Sequence, residues 1–285
     1  MSALLLSVRI ASQSLQSIFK KKMNERCNSC EFSLSTLIAC FALAYFLIFS
    51  EKFVFDSRII PYCIAFSVCY AMASVTCVLA LNCGSLALTD LMLVYSTVIP
   101  LGYSLIFCGE TLGFLQIIGV AFLCVSFFFT YFKSGGSKKQ KISIKWIIYA
   151  ALMFLSNGMC SVIQQLQQRV FGASLDDTFM IISLIMVVVL LGISALVREG
   201  KKFLVAIRGG FLLCGLCGAC NGVMNYFALL CLLVVPEAVY YPLTTAGSML
   251  LTYLLSMVIF KERFTKRQVF GFALCVLSMI FINIK

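Results

Sequence analysis

The chain has 285 residues, 62% of them hydrophobic and 12% charged, with a formal net charge of +11 and a mean hydropathy of +1.04. A soluble globular protein averages about 45–50% apolar and about 25% charged residues, so a soluble domain of this size cannot hide so much apolar surface. The composition is that of an integral membrane protein, and the absence of histidine excludes HExxH zinc sites, Ser–His–Asp triads and Cys–His dyads.

A spanning helix needs about 20 mostly apolar residues. Ten segments meet that need: 2–20, 31–50, 59–82, 85–107, 113–133, 144–169, 177–197, 207–230, 235–260 and 265–284. The expected fold class is therefore an all-α membrane protein. The first span lacks the basic n-region of a signal peptide and carries Arg9, so it reads as a helix. At 100° per residue, Arg9, Gln13, Gln16, Ser17 and Lys20 fall within an arc of roughly 100° on that helix. Between spans 1 and 2, Cys27 and Cys30 form a lone CxxC with no second pair to complete a zinc site. The other cysteines lie mostly inside apolar runs (Cys69, Cys77, Cys124, Cys214, Cys275), where they act as small hydrophobes. No metal and no cofactor are expected.

Span 4 begins near Asp90 and carries Tyr95 and Ser96. It ends at GETLG (109–113), which leads into span 5 through Gln116. The stretch 133–145, KSGGSKKQKISIK, is the longest loop, and it divides the chain into halves of 1–133 and 144–285 joined by a basic linker at 134–143. Span 6 opens the second half and ends in four glutamines. Asn157, Ser161, Gln164 and Gln168 lie within an arc of roughly 60°, with Gln167 at one edge and Gln165 farther round. Span 8 carries Gly218-x-x-x-Gly222, which suits close helix packing, with Asn221 and Asn225 on one face. Span 9 begins with Glu237 and carries Tyr241, Thr244 and Ser248. Between spans 9 and 10, KERFTKR (261–267) contains Glu262 and Thr265, and Gln268 follows.

The halves repeat. A shift of 152 residues aligns GETLGFLQIIGVAFLCVS (109–126) with KERFTKRQVFGFALCVLS (261–278). Glu110 meets Glu262, Gln116 meets Gln268, Gly119 meets Gly271 and Ser126 meets Ser278. A shift of 148 aligns the openings: Arg9 with Asn157, Gln13 with Ser161, Gln16 with Gln164 and Lys21 with Arg169. Five helices per half is odd, so two such halves must insert with opposite orientation. The loop charges agree. Loops 1–2, 3–4, 5–6, 7–8 and 9–10, counted with their span ends, hold 4, 0, 5, 4 and 4 basic residues, or 17 of the 22; the opposite side holds four, and Arg9 is the remaining one. The positive-inside rule makes the 17-residue side cytoplasmic, with both termini outside. The expectation is ten transmembrane helices in two inverted five-helix repeats, a common transporter architecture.

A short span 4, an acidic residue at its end and Gln-x-x-Gly opening span 5, all repeated once, resemble the drug/metabolite transporter superfamily. The EamA-type ten-helix members are the most similar. GETLGFLQIIG and KERFTKRQVFG look like the two family signatures, and SLQSIFKKK (14–22) and NGMCSVIQQLQQ (157–168) are similar to the openings of the two halves. The resemblance implies a multi-pass carrier of small organic solutes that does not hydrolyse ATP. Ten-helix members are often drawn with both termini in the cytoplasm, the reverse of what these loop charges give.

Glu110, Gln116, Glu262, Thr265 and Gln268 read first as structural helix-start motifs; Thr265 and Gln268 fit a T-x-x-Q capping box. The polar stripes cannot face lipid cheaply. Arg9, Gln13, Gln16, Asn157, Ser161, Gln164 and Gln168 are therefore candidates for substrate binding, with Asn221, Asn225, Tyr95, Ser96, Tyr241, Thr244 and Ser248; helix-to-helix hydrogen bonding is the competing role. Asp90 and Glu237 are candidates for a coupling proton, or for carboxylates favoured at helix N-termini.

The expected function is secondary transport of a metabolite, amino acid or drug by alternating access, with proton-coupled export favoured. An importer is the alternative, followed by a non-transporting sensor or scaffold on the same fold, and by a membrane enzyme. The expected partners are a small-molecule substrate and the lipid bilayer of the cell membrane, with no nucleic acid and with a monomeric or homodimeric state.

Overall fold

The computed structural model describes residues 2–26, 30–50, 53–96, 98–107, 113–131, 143–171, 175–200, 202–234, 237–262 and 264–283. The structure is all-helical. Among these residues the helices are α1 (Ser2–Arg26), α2 (Glu31–Phe49), α3 (Ile60–Cys83), α4 (Leu86–Tyr95), α5 (Val98–Phe107), α6 (Phe114–Tyr131), α7 (Ile144–Phe171), α8 (Asp176–Arg198), α9 (Lys202–Val234), α10 (Glu237–Ile259) and α11 (Lys266–Asn283). A short 3-10 turn, Ser57–Ile59, leads into α3. The 134–143 linker falls on residues outside those described.

Two of these elements differ from the sequence expectation. Predicted span 4 is two helices, because Pro100 has no N–H to give the Ser96 carbonyl and its ring disfavours helical backbone just before it. The Ser96 carbonyl instead accepts the Ile99 N–H at 3.1 Å, a tighter turn. Helix α1 also runs six residues past its predicted end at Lys20, through KKMNER, all good or acceptable helix formers. Tertiary contacts fix that extra length. Met23 is fully buried against Cys214 at 3.2 Å, and the Asn24 amide donates to the Val78 carbonyl at 2.8 Å.

The helices pack as a single bundle. Helix α1 lies on α9 and α10, α2 on α8 and α9, α3 on α7 and α8, α4 on α7 and α10, and α6 on α11. The α2–α9 seam is closest at the GxxxG of α9. A Cβ on Gly218 would stand 2.4 Å from Phe41 Cβ, and one on Gly222 would stand 2.2 Å from Tyr45 Cγ, so only hydrogen fits. Among the described residues five helical segments are long and apolar enough to cross a membrane: Glu31–Phe49, Ser57–Cys83, Ile144–Phe171, Asp176–Arg198 and Ala206–Met224. Their outward faces carry bare apolar side chains such as Val197, Leu212 and Val189, as a lipid-facing surface requires.

Candidate functional site

Helix α1 presents its polar face to the middle of the bundle. An Arg9 guanidinium N–H donates to Gln13 Oε1 one turn along. Gln16 is buried, and its carbonyl accepts the Cys217 thiol of α9 at 3.7 Å. At the next residue, the Ser17 hydroxyl donates to Asp90 Oδ1 at 2.8 Å, joining α1 to α4. Asp90 is 8% exposed and sits in the second turn of α4, beyond the first-turn position that N-terminal capping requires. Ser85 fills that cap, accepting the Leu88 N–H at 3.2 Å. Lys20 follows, within electrostatic reach of Asp90 and of Tyr70 on α3. Tyr70 in turn pairs through its hydroxyl with Asn221 on α9.

A clasp closes this end of the crevice. Lys21 Nζ meets Glu262 Oε1 at 2.5 Å, with side-chain exposures of 12% and 7%. The same Oε1 accepts the Leu86 N–H at 2.8 Å, and Oε2 accepts the Ala87 N–H at 3.5 Å. Glu262 therefore does not serve the helix that follows it, as its place in the signature suggested. It satisfies two orphan N–H groups at the start of α4 in the other half of the chain, where the helix dipole favours a negative charge. The neighbouring Trp146 adds to the closure: its indole N–H donates to Thr89 Oγ1 at 3.1 Å, and its ring lies where a Gly84 side chain would be.

The α7 stripe runs the other way. The Asn157 amide donates to Ser96 Oγ at 2.7 Å, and the Ser161 hydroxyl donates to the Asn157 carbonyl at 3.3 Å. Both residues are half-buried. Gln164 and Gln168 are exposed, and Gln168 donates to Asp176 Oδ2 at 3.0 Å. Gln167, read from the sequence as the edge of the stripe, is fully buried. Within the stripe, Asn157 and Ser161 are half-buried and Gln164 and Gln168 exposed, so its polar side chains are more covered toward the clasp.

Some expected lining residues lie elsewhere. Tyr95 is 3% exposed and points into the seam of α6 and α11, its hydroxyl 2.6 Å from Ser126 Oγ, because the α-helical turn carries it to the opposite side of α4 from the crevice. Thr244 and Ser248 are buried in the α1–α10 seam, where the Ser248 carbonyl accepts the Ser14 hydroxyl at 3.0 Å. The side chains of Asn225, Glu237 and Tyr241, and the whole of Glu110, lie outside the described residues. In the second signature Thr265 and Gln268 bond reciprocally, Thr265 N–H to Gln268 Oε1 at 2.9 Å and Gln268 N–H to Thr265 Oγ1 at 3.3 Å. In the first, Gln116 Oε1 accepts the Gly113 N–H at 2.9 Å.

A hollow of about 650 Å³ at the far end is lined by Val54–Arg58, Val170, Phe171 and Leu175. Its charges are spent on each other: Arg58 hydrogen bonds hold the Asp56 carboxyl below its ordinary range. Among the described residues no group of three potential ligands could hold a metal.

Residues 144–284 match the family model described as the EamA-like transporter family. The second half of the chain is thus similar to the EamA-like transporter family. Members of the family are membrane transporters of small solutes, not enzymes, and this EamA-like chain is a multi-pass membrane protein. No curated protein matches the sequence. A solved structure titled only "Crystal structure of protein" is similar over 98% of this chain and 95% of its own, at 13% identity and a TM-score of 0.54, a likeness of fold.

Sequence reasoning placed Lys20 on the α1 stripe without naming it among the site residues, and it missed Lys21 and Tyr70. Lys21 looked like a loop charge. Its signal was the stripe, which reaches Lys20 just before it. Tyr70 sits in an apolar run with no polar periodicity to mark it.

Proposed function

We propose that this EamA-like protein is a secondary transporter that carries a small organic solute along the crevice between its two halves. The observation that carries this reading is the polar face of α1, joined to α4 through Ser17 and Asp90 and ending at the Lys21–Glu262 clasp, while the α7 stripe ends in the exposed Gln164 and Gln168. Transport would follow from releasing the clasp and closing the open end around the solute, which is alternating access. The halves are residues 1–133 and 144–285, inserted with opposite orientation, with α4 and α5 together making one broken crossing. Paired packing supports that arrangement: α1 on α9 answers α7 on α3, and α2 on α9 answers α8 on α3. The loop charges put the clasp on the cytoplasmic side of the cell membrane, so this is the outward-open state. Arg9, Gln13, Asn157, Ser161, Gln164 and Asn221 line the path. Asp90, embedded and reached by Ser17, carries the coupling proton, and the favoured direction is export.

The test is flux. Purified protein in liposomes is loaded with a mixture of metabolites and drugs, with and without a pH gradient. Release of at least one solute above protein-free liposomes, faster with the gradient, and lost in Gln16→Leu and Gln164→Leu variants that still insert, is the expected result. No release of any solute under either condition overturns transport. Release indifferent to the gradient overturns the proton coupling alone.

A further inference from the structure

Lys20 is a cation of the α1 polar face that no carboxylate among the described residues meets within 4.0 Å, and Asp90 acts on it only from farther off. The preceding and following basic groups of α1 are engaged: Arg9 holds Gln13, and Lys21 holds Glu262. Among the described residues Lys20 makes no ion pair and no side-chain hydrogen bond. Asp90 is the nearest candidate for its counter-ion, but Asp90 Oδ1 takes the Ser17 hydroxyl, and no contact within 4.0 Å joins the ammonium to the carboxylate. Lys20 also sits deep. Groups from three other helices lie around it, Tyr70 and Cys77 on α3, Asp90 on α4 and Cys217 on α9, yet its side chain keeps partial access to solvent. A residue surrounded on three sides and still wettable lines an internal crevice.

An ammonium kept from both lipid and bulk water costs free energy unless something supplies acceptors. Its three N–H donors meet no acceptor among the described residues, which leaves that task to water or to the solute. We infer that Lys20 is the anchoring cation of the crevice, and that the carried solute presents a carboxylate or phosphate oxygen to it. This inference rests on the transporter reading and adds the chemical class of the substrate. The Tyr70 hydroxyl and Asn221 amide, on the far side of the same space, suit neutral polar groups on the rest of that solute. The anchor lies one residue from Lys21. A 100° turn separates the two side chains, so one points into the crevice while the other closes it, and an anion bound at Lys20 sits directly against the clasp that must open to release it.

The experiment pairs flux with binding. Liposomes holding the full-length protein are loaded with succinate, glycerol 3-phosphate, putrescine and ribitol, and release is read by mass spectrometry. In parallel, the detergent-solubilised protein is titrated with sodium succinate and with sodium phosphate against sodium chloride at equal ionic strength, following thermal unfolding. The expected result is release confined to succinate or glycerol 3-phosphate. Lys20→Gln should weaken both release and anion-induced stabilisation by at least about tenfold, Lys20→Arg should keep them, and the exposed control Lys22→Gln should change neither. Release of only putrescine or ribitol leaves transport standing and overturns the anion anchor. Lys20-dependent stabilisation without any release keeps the anion site and overturns transport. Stabilisation and release that are equal in wild type and Lys20→Gln overturn the inference.

Discussion

Lys21 and Glu262 are 241 residues apart and meet at 2.5 Å, with the carboxylate of Glu262 also covering the first two N–H groups of α4. One side chain thus ties together α1, the start of α4 and the turn between α10 and α11. The arrangement is conditional. Nothing covalent holds it, so sliding α1 away from α4 breaks the ion pair and uncaps a helix in one step.

Glu262→Ala should therefore destabilise the protein strongly. Truncating one partner of a buried ion pair costs about 3–5 kcal/mol, and a lost cap costs about 0.5–2 kcal/mol. Glu262→Gln keeps an oxygen for the Leu86 N–H and should lose less. Thermal unfolding in detergent measures both, and a cycle with Lys21→Met isolates the pair. The exposed Glu25→Gln is the control. Equal midpoints for Glu262→Ala and Glu25→Gln would show that the clasp does not hold the folded state.

The α2–α9 seam offers a sharper contrast. At Gly218 an added Cβ meets Phe41 Cβ at 2.4 Å and the Ile38 carbonyl at 3.0 Å, and that backbone cannot swing away as a side-chain tip can. Gly218→Ala should lower stability by about 1–3 kcal/mol, the cost of overpacking. At Gly102 in α5 an added Cβ finds nothing within 4 Å. Gly102→Ala should be neutral or gain up to about 1 kcal/mol from helix propensity. Folded yield and unfolding temperature of the two variants test the pair. Similar losses at both positions would mean that α9 does not approach α2 this closely.

The sequence exposed most of the helices because lipid makes apolar length a strong signal. It exposed the polar face of α1 for the same reason. It misjudged the ends. Lys20 to Lys22 look like a stop, but a lysine ends a span only where nothing in the bundle receives it, and Glu262 receives Lys21. The broken helix at Ser96 was legible from Pro100, yet its apolar surroundings made one span the simpler reading. In the run of glutamines, periodicity gave the angular spacing of the four side chains but not which of them packing covers; contact with α3 decided that, and it buried Gln167 and left Gln164 exposed. Partners distant in sequence, such as Tyr70 and Asn221, leave no periodic trace at all.

The signature helices α6 and α11 pack through two hydrogen bonds that mirror each other. Ser126 donates to the Gly271 carbonyl at 2.7 Å, and Ser278 donates to the Gly119 carbonyl at 2.7 Å. Ser126 and Ser278 are the residues the 152-residue repeat aligns, as are Gly119 and Gly271. Both serines are fully buried, so each Ser→Ala should cost about 0.5–1.5 kcal/mol. The symmetry is broken by Tyr95, whose hydroxyl lies 2.6 Å from Ser126 Oγ, while Ser278 has no such neighbour among the described residues. Ser126→Ala takes a partner from that buried phenol and should cost more than Ser278→Ala. Adding Tyr95→Phe to Ser126→Ala removes the stranded hydroxyl and should recover part of the difference, whereas adding it to Ser278→Ala should not. Unfolding free energies of these four variants and of Tyr95→Phe alone decide the matter. Equal losses for the two serines, with no coupling between Tyr95 and Ser126, would mean that the phenol does not share this seam.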